Sequence, residues 1–474
     1  MRQIEAVSMR WPLLIKPNFM QTEYIISTEQ GDINGTPLRQ QYMDTLDEQT
    51  RHFIEEDARY FMHQALSTPV MNVLTRTEGA YIYDLNGKKY LDLHGNGVHN
   101  AGFSNPHVIE AVIAQLRSRL AFTPRRYTNI PVIRLAKRLV ELTPKGLDRV
   151  LFCPGGSEAI EMALALAKQV TGRWKTISYW DSYHGNGFQA ASVGGEEHFT
   201  TGQGPMIPGA HHVEFPNYYR NPWGLPEKDQ DAIDRQYLRQ IEVILLRNPD
   251  VAAILGEPIS STPVVPSRTY WQEVRNLCDR HGILLLFDEI IEGFGRTGKW
   301  FACEHYVTPD VLVLGKSLGG GVVPFAGIVA AERYNVLQHR SIGHFTHEKN
   351  PLCAAAGLAE IEAIEADKLV ANAAVLGDYL LQGLQALQER YPLIGHVAGK
   401  GLHIGVDLVS DPVSKERAIR EAEQIMYDCM QQGIALKVIE GNILTMRPAL
   451  CITRDECNWI LDALEKALAR VVRA

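Results

Sequence analysis

The chain has 474 residues, 45% apolar and 22% charged, with a formal net charge of −8. That length exceeds what one compact core usually takes, so two or three structural units are expected. The acidic balance without a basic run argues against nucleic acid, and no stretch reaches the roughly 18–20 apolar residues that a membrane helix needs.

Residues 1–50 are polar and read as an irregular arm that wraps a partner subunit or the body. The only apolar piece near the start, 11–15, is too short and too interrupted by proline for a secretory leader. A helix is expected over 54–66. Residues 80–92 alternate on either side of Asn86-Gly87, which predicts a hairpin. An amphipathic helix follows over 106–120. Short apolar strands at 149–153, 175–180, 251–256, 283–287 and 311–314 then alternate with helices over 158–170, 232–246 and 270–281. This pattern predicts a mainly parallel sheet covered on both faces. From about Pro351 it gives way to a long Ala-rich helix, a small α+β unit and a last helix over 455–472, which together read as a second domain. The seven cysteines are odd in number, scattered and without metal-ligand spacing; they read as reduced thiols of a cytoplasmic protein, and no metal is expected.

In open α/β sheets ligands sit beyond the carboxyl ends of strands, and four short motifs fall there. Gly155-Gly156-Ser157-Glu158 opens a helix, where small residues and free N–H groups suit an anion; a plain helix cap is the other reading. Tyr183 could stack on a flat ring or simply be a core aromatic. Asp288 ends an apolar strand, where a carboxylate is costly to bury unless paired; a cationic ring nitrogen would suit it, as would a helix N-terminus. Lys316 follows a buried strand; a lone strand-end lysine is usually just solvated, but the run Gly319-Gly320-Gly321 after it gives a ligand close access to its amine. Desolvation would lower its pKa, as a Schiff-base lysine requires.

The run Asp288-Glu289-Ile290-Ile291-Glu292-Gly293-Phe294-Gly295-Arg296-Thr297-Gly298, then Pro309-Asp310, then Gly315-Lys316-Ser317-Leu318-Gly319-Gly320-Gly321, closely resembles the signature of class III aminotransferases dependent on pyridoxal 5'-phosphate (PLP). Gly156-Ser157, Tyr183-His184-Gly185, Glu257-Pro258 and Asn350-Pro351 fall in the family's order, and the resemblance runs from about residue 70 onward. It implies an α/β protein of PLP fold type I, aspartate aminotransferase-like, with a seven-stranded, mainly parallel sheet in a large domain and a smaller α+β domain. The expected divisions are an arm (1–50), a segment packing with the small domain (51–110), the PLP-binding domain (111–345) and the small domain (346–474). The resemblance also implies roles. Lys316 forms the imine with PLP and shuttles protons, and Asp288 partners the pyridine nitrogen. Gly156 and Ser157 bind phosphate, Tyr183 stacks on the ring, and Glu257 orients the site. Thr346 reaches the phosphate of a neighbouring subunit, implying a homodimer with shared active sites. Arg447 clamps a substrate anion, unless it is a surface or interdomain ion pair.

Three stretches depart from the common family pattern: Pro154-Gly155-Gly156-Ser157, Gly102-Phe103-Ser104-Asn105-Pro106, and Thr346-His347-Glu348-Lys349-Asn350-Pro351. Upstream, Arg125 and Arg126 supply adjacent guanidiniums that suit a phosphonate-like anion, or a surface or dimer salt bridge. With the long arm, these features resemble a branch that has exchanged transamination for elimination of ammonia from a small hydroxylated amino-phosphonate. An ω-aminotransferase acting on a terminal amine, with pyruvate or 2-oxoglutarate as acceptor, is the alternative. A non-catalytic PLP-binding homologue is a remote one.

Overall fold

A computed structural model describes residues 36–64 and 70–472. The expected irregular arm lies largely outside them, but its last part is helical. Thr36 caps the helix Pro37–Asp44 through the Arg39 N–H, and Asp47 caps Glu48–Tyr60 through the Thr50 N–H. Both helices are polar, so apolar periodicity missed the first and caught only the later half of the second, although Thr-Pro and Asp are ordinary helix-start residues. The second helix begins six residues before the expected 54 and stops at Tyr60.

The first sheet contains β1 (Leu74–Glu78), β2 (Tyr81–Asp84) and β3 (Lys89–Asp92). β2 and β3 are the expected hairpin around Asn86-Gly87. Its outer edge is taken by a strand from far along the chain: Ile434–Ala435 runs parallel to β3, pairing with Leu91 and Asp92.

The central sheet has seven strands: β4 (Arg149–Cys153), β5 (Lys175–Tyr179), β6 (Ala210–Val213), β7 (Val251–Gly256), β8 (Leu284–Asp288), β9 (Val311–Leu314) and β10 (Ala326–Ala330). Their spatial order is β4-β10-β9-β8-β7-β5-β6. Only β10 is antiparallel to its neighbours. Because β4 and β9 are both antiparallel to β10, they run the same way as each other. The carboxyl ends of β4, β5, β7, β8 and β9 therefore share one edge. Every residue of β7, β8 and β9 is buried, as expected for strands covered on both faces. One face packs the large core around Phe287 and Trp271, the other the core around Ala163, Leu255 and Leu286.

The expected long Ala-rich helix is two helices, Pro351–Ala366 and Leu369–Arg390. Lys368 between them takes a left-handed backbone, φ 54°, which an α-helix of L-residues does not continue through. The first helix packs between Pro106–Arg117 and Ile130–Leu142. Beyond the second lies a sheet of β11 (Ile394–Lys400), β12 (His403–Asp411), β13 (Glu416–Arg417), β15 (Lys437–Ile439) and β16 (Ile443–Met446); the Ile434–Ala435 strand of the first sheet is β14. None of the seven cysteines is paired. No helix among the described residues is long and apolar enough to cross a membrane, and no group of three or more His, Cys, Asp or Glu residues there could hold a metal ion.

Candidate active site

The shared edge of strand ends forms the floor of a cavity of about 460 Å³, in the size range of small-molecule sites. Five of the seven strands deliver groups to it. After β4 come Gly156 and Ser157, the first two residues of the helix Gly156–Thr171, whose opening N–H groups have no helical partner. After β5 come Tyr183 and His184, after β7 comes Glu257, at the end of β8 stands Asp288, and after β9 comes Lys316.

Asp288 and Glu257 are each about 95% shielded from solvent. Asp288 Oδ1 accepts the Ile290 N–H at 3.1 Å, and Oδ2 lies 2.8 Å from His184 Nδ1. Glu257 Oε2 accepts the Ser261 N–H at 2.9 Å. Burial pushes its carboxyl up to about 7; the neighbouring Asp288 adds to this, while His184 opposes it. The Lys316 amine is shifted down, chiefly by burial, against the pull of Asp288. The Lys316 backbone is left-handed, φ 45°, and such strain in a non-glycine residue concentrates at functional sites. Gly185 shows how closely this end of the cavity is built. Its φ is 120°, and a Cβ there would lie 2.2 Å from Ser157 Oγ. That hydroxyl accepts the Asn186 N–H at 3.1 Å.

Glu289, Arg296 and Asp310 of the signature serve structure. Glu289 accepts the Ala302 and Cys303 N–H groups at 2.5 and 2.7 Å. Arg296 is fully buried and binds Asn100 Oδ1 at 2.6 Å and the carbonyls of Leu402 and Pro448. It thus ties the N-terminal segment to the C-terminal sheet. Asp310 accepts the Leu285 N–H and pairs with Arg275, locking β8 beside the turn before β9.

Arg447 lies in the cavity wall, buried, with Nη2 donating to the Ser261 carbonyl. Three other residues singled out in the sequence do not line this cavity. Arg125 pairs with Glu348 at 3.3 Å, and Arg126 and Thr346 are exposed. Conversely, His184, His94 and Lys437 line it without having been given a role by sequence. His184 carried a signal, since it adjoins Tyr183 in the matched motif. His94 and Lys437 carried none beyond following or opening a strand.

Residues 62–468 match the family model described as aminotransferase class-III. The chain belongs to the class III aminotransferase family. Among curated relatives, the (R)-1-hydroxy-2-aminoethylphosphonate ammonia-lyase of Vibrio splendidus is 39% identical over 94% of this chain and 95% of its own length. A leucine/methionine racemase of Thermococcus litoralis is 34% identical over 88% and 95%. Among solved structures, a PLP-bound amine transaminase from an uncultivated Pseudomonas species matches with a TM-score of 0.81 at 34% identity, covering 87% of this chain and 99% of that one. The class III chain described here is accordingly a PLP-dependent enzyme, lyase or aminotransferase, of fold type I. Its cavity fits the cofactor's chemistry: a desolvated amine, a buried carboxylate held by an imidazole, and a cradle of free N–H groups that tolerates no side chain at Gly185.

Proposed function

We propose that this chain releases ammonia from (R)-1-hydroxy-2-aminoethylphosphonate, leaving phosphonoacetaldehyde. The observation that carries the reading is the 39% identity, over 94% of the chain, to a lyase of that name. In this reading Gly156, Ser157 and the free N–H groups of their helix hold the cofactor phosphate, and Thr346 of a second copy completes the cradle. Asp288, held by His184, keeps the ring nitrogen protonated. Tyr183 covers a ring face, and Glu257 orients the site. Bound PLP supplies an electron sink for the pair left when a C–H bond beside the amine breaks. Lys316 is the covalent anchor of the resting enzyme. With the cofactor bound and carrying the substrate, the freed Lys316 amine would take the proton from the amine-bearing carbon; burial, by lowering its pKa, raises the neutral fraction that could do so.

Loss of the hydroxyl from the adjacent carbon gives an enamine, which becomes an imine and hydrolyses. The water lost in elimination is regained in hydrolysis, so substrate equals aldehyde plus ammonia and no amino acceptor is consumed. The proposal includes a cytoplasmic homodimer with shared active sites.

A second reading, an ω-aminotransferase passing the amino group to pyruvate or 2-oxoglutarate, is favoured by the likeness to the amine transaminase structure. Incubation with the hydroxylated aminophosphonate and no keto acid separates the two. Sustained release of ammonia and aldehyde is expected; turnover that requires a keto acid would overturn the lyase.

A further inference from the structure

Three side chains of the cavity wall come from segments far apart in sequence, and the backbone brings them together at one junction. The Leu93 N–H donates to the Ala435 carbonyl at 2.8 Å, and the Leu93 carbonyl accepts the Arg447 N–H at 2.6 Å. Leu93 is therefore pinned on both sides, by the segment before β15 and by the one after β16. His94 follows this pinned residue, Lys437 lies two residues beyond Ala435, and Arg447 is the second pin itself. All three side chains line the same cavity as Lys316.

Two of the three carry a buried nitrogen that lacks a partner. His94 Nδ1 and Arg447 Nε are buried and have no hydrogen-bond partner among the described residues. Burial, together with the charges of Lys437 and Arg447, pushes the His94 imidazole well below its ordinary value. Burial thus favours the neutral ring, whose Nδ1 can carry its one N–H; the Asn96 side chain also bonds the ring and pulls the other way. Arg447 is itself fixed, through Nη2 on the Ser261 carbonyl. Arg417, which also lines the cavity, is paired with Glu440 at 3.0 Å.

We propose that His94, Lys437 and Arg447 form a tripod that binds the tetrahedral, doubly acidic headgroup of the substrate and discriminates it from a carboxylate. A planar carboxylate offers two oxygens in one plane, which a single guanidinium satisfies. A phosphonate offers three oxygens in a pyramid and, like a phosphoryl group, approaches two negative charges near neutral pH. Two cations and a neutral N–H donor, carried on three separate segments, complement that shape and charge. The tripod rests on the lyase reading for the identity of the headgroup. It moves the anchor away from Arg125 and Arg126 and into the same chain as Lys316.

The test is calorimetric titration of the PLP-loaded enzyme with three amines that carry no hydroxyl to eliminate: 2-aminoethylphosphonate, β-alanine and propylamine. The wild type is expected to bind the phosphonate at least tenfold more tightly than β-alanine. Lys437→Met and His94→Gln should each weaken the phosphonate at least fivefold and shrink its preference over β-alanine, with propylamine binding and cofactor absorbance unchanged. Lys437→Arg should restore most of the preference. Unchanged phosphonate affinity in both variants would overturn the tripod, as would an equal loss for propylamine. Loss confined to an Arg125→Ala/Arg126→Ala double variant would overturn it as well, and return the anchor to that pair. If the hydroxylated substrate yields no ammonia while the phosphonate preference persists, the lyase reading falls and the tripod stands.

Discussion

His184 Nδ1 stands 2.8 Å from the carboxylate of Asp288, and both residues are almost wholly shut off from water. The other ring nitrogen, Nε2, is buried without a partner among the described residues. The imidazole can therefore serve as a prop that fixes the aspartate, with no second group to which it could relay a proton. Asp288→Asn should lower kcat by about 10³-fold or more, in the range seen when a proton-holding group is lost. His184→Gln should lower it about tenfold and shift the pH dependence of the cofactor absorbance. A His184→Gln enzyme with the wild-type rate and the wild-type spectral titration would remove the prop.

In the proposed mechanism Lys316→Ala removes both the covalent anchor and the base. Ammonia release should fall by roughly 10⁴-fold, and borohydride should no longer fix the cofactor to the protein. In the wild type, peptide mapping after borohydride treatment should find the label at position 316. A label on any other lysine would contradict the assignment.

Gly185→Ala tests the phosphate cradle. The added methyl would sit 2.2 Å from Ser157 Oγ, at a backbone φ of 120°. Either the hydroxyl or the turn must move. PLP should bind at least tenfold more weakly, which is about 1.4 kcal/mol, as read by dialysis followed by cofactor titration. Unaltered affinity would mean that the turn does not shape the site.

Glu360 gives a pH signature away from the chemistry. It is 1% exposed and accepts the Ala101 N–H at 3.0 Å and the Ser317 hydroxyl at 2.8 Å. Burial raises its carboxyl from 4.5 to about 7. A raised folded value means that the folded protein holds this proton more tightly than the unfolded chain does. Its contribution to stability is therefore whole below about 4.5 and is lost as pH rises toward 7. Glu360→Gln keeps an acceptor oxygen and has no charge to bury. Its stability relative to wild type should rise between pH 4.5 and 7 by about 3 kcal/mol, measured by urea unfolding at fixed pH. A flat difference across that window would refute the buried-charge account.

The cofactor floor was legible because its residues sit at the ends of continuous apolar runs. Strands such as Val251–Gly256 and Val311–Leu314 are buried on both faces, and a run of that kind announces its own end. Ala326–Ala330 and Ala210–Val213 went unseen. Three of the five residues of the first are alanine or glycine, and two of the four in the second are histidines, so each has too few of the branched or aromatic residues that mark a strand to stand out. Lys368 hid the break in the Ala-rich helix, since nothing about a lysine signals a left-handed turn. His94 and Lys437 were illegible for a different reason. Their neighbourhood depends on backbone bonds between residue 93 and residues 435 and 447, and no local pattern records a pairing of that span.

That pairing also sets an order of events during synthesis. Every group on the floor, from Ser157 to Lys316, has been made before the ribosome reaches residue 434, yet the first sheet still lacks its outer strand and His94 its neighbours. In order of synthesis, the wall residues Lys437 and Arg447 thus come after every residue of the floor, and the cavity they share with Lys316 can be complete only once both have been added.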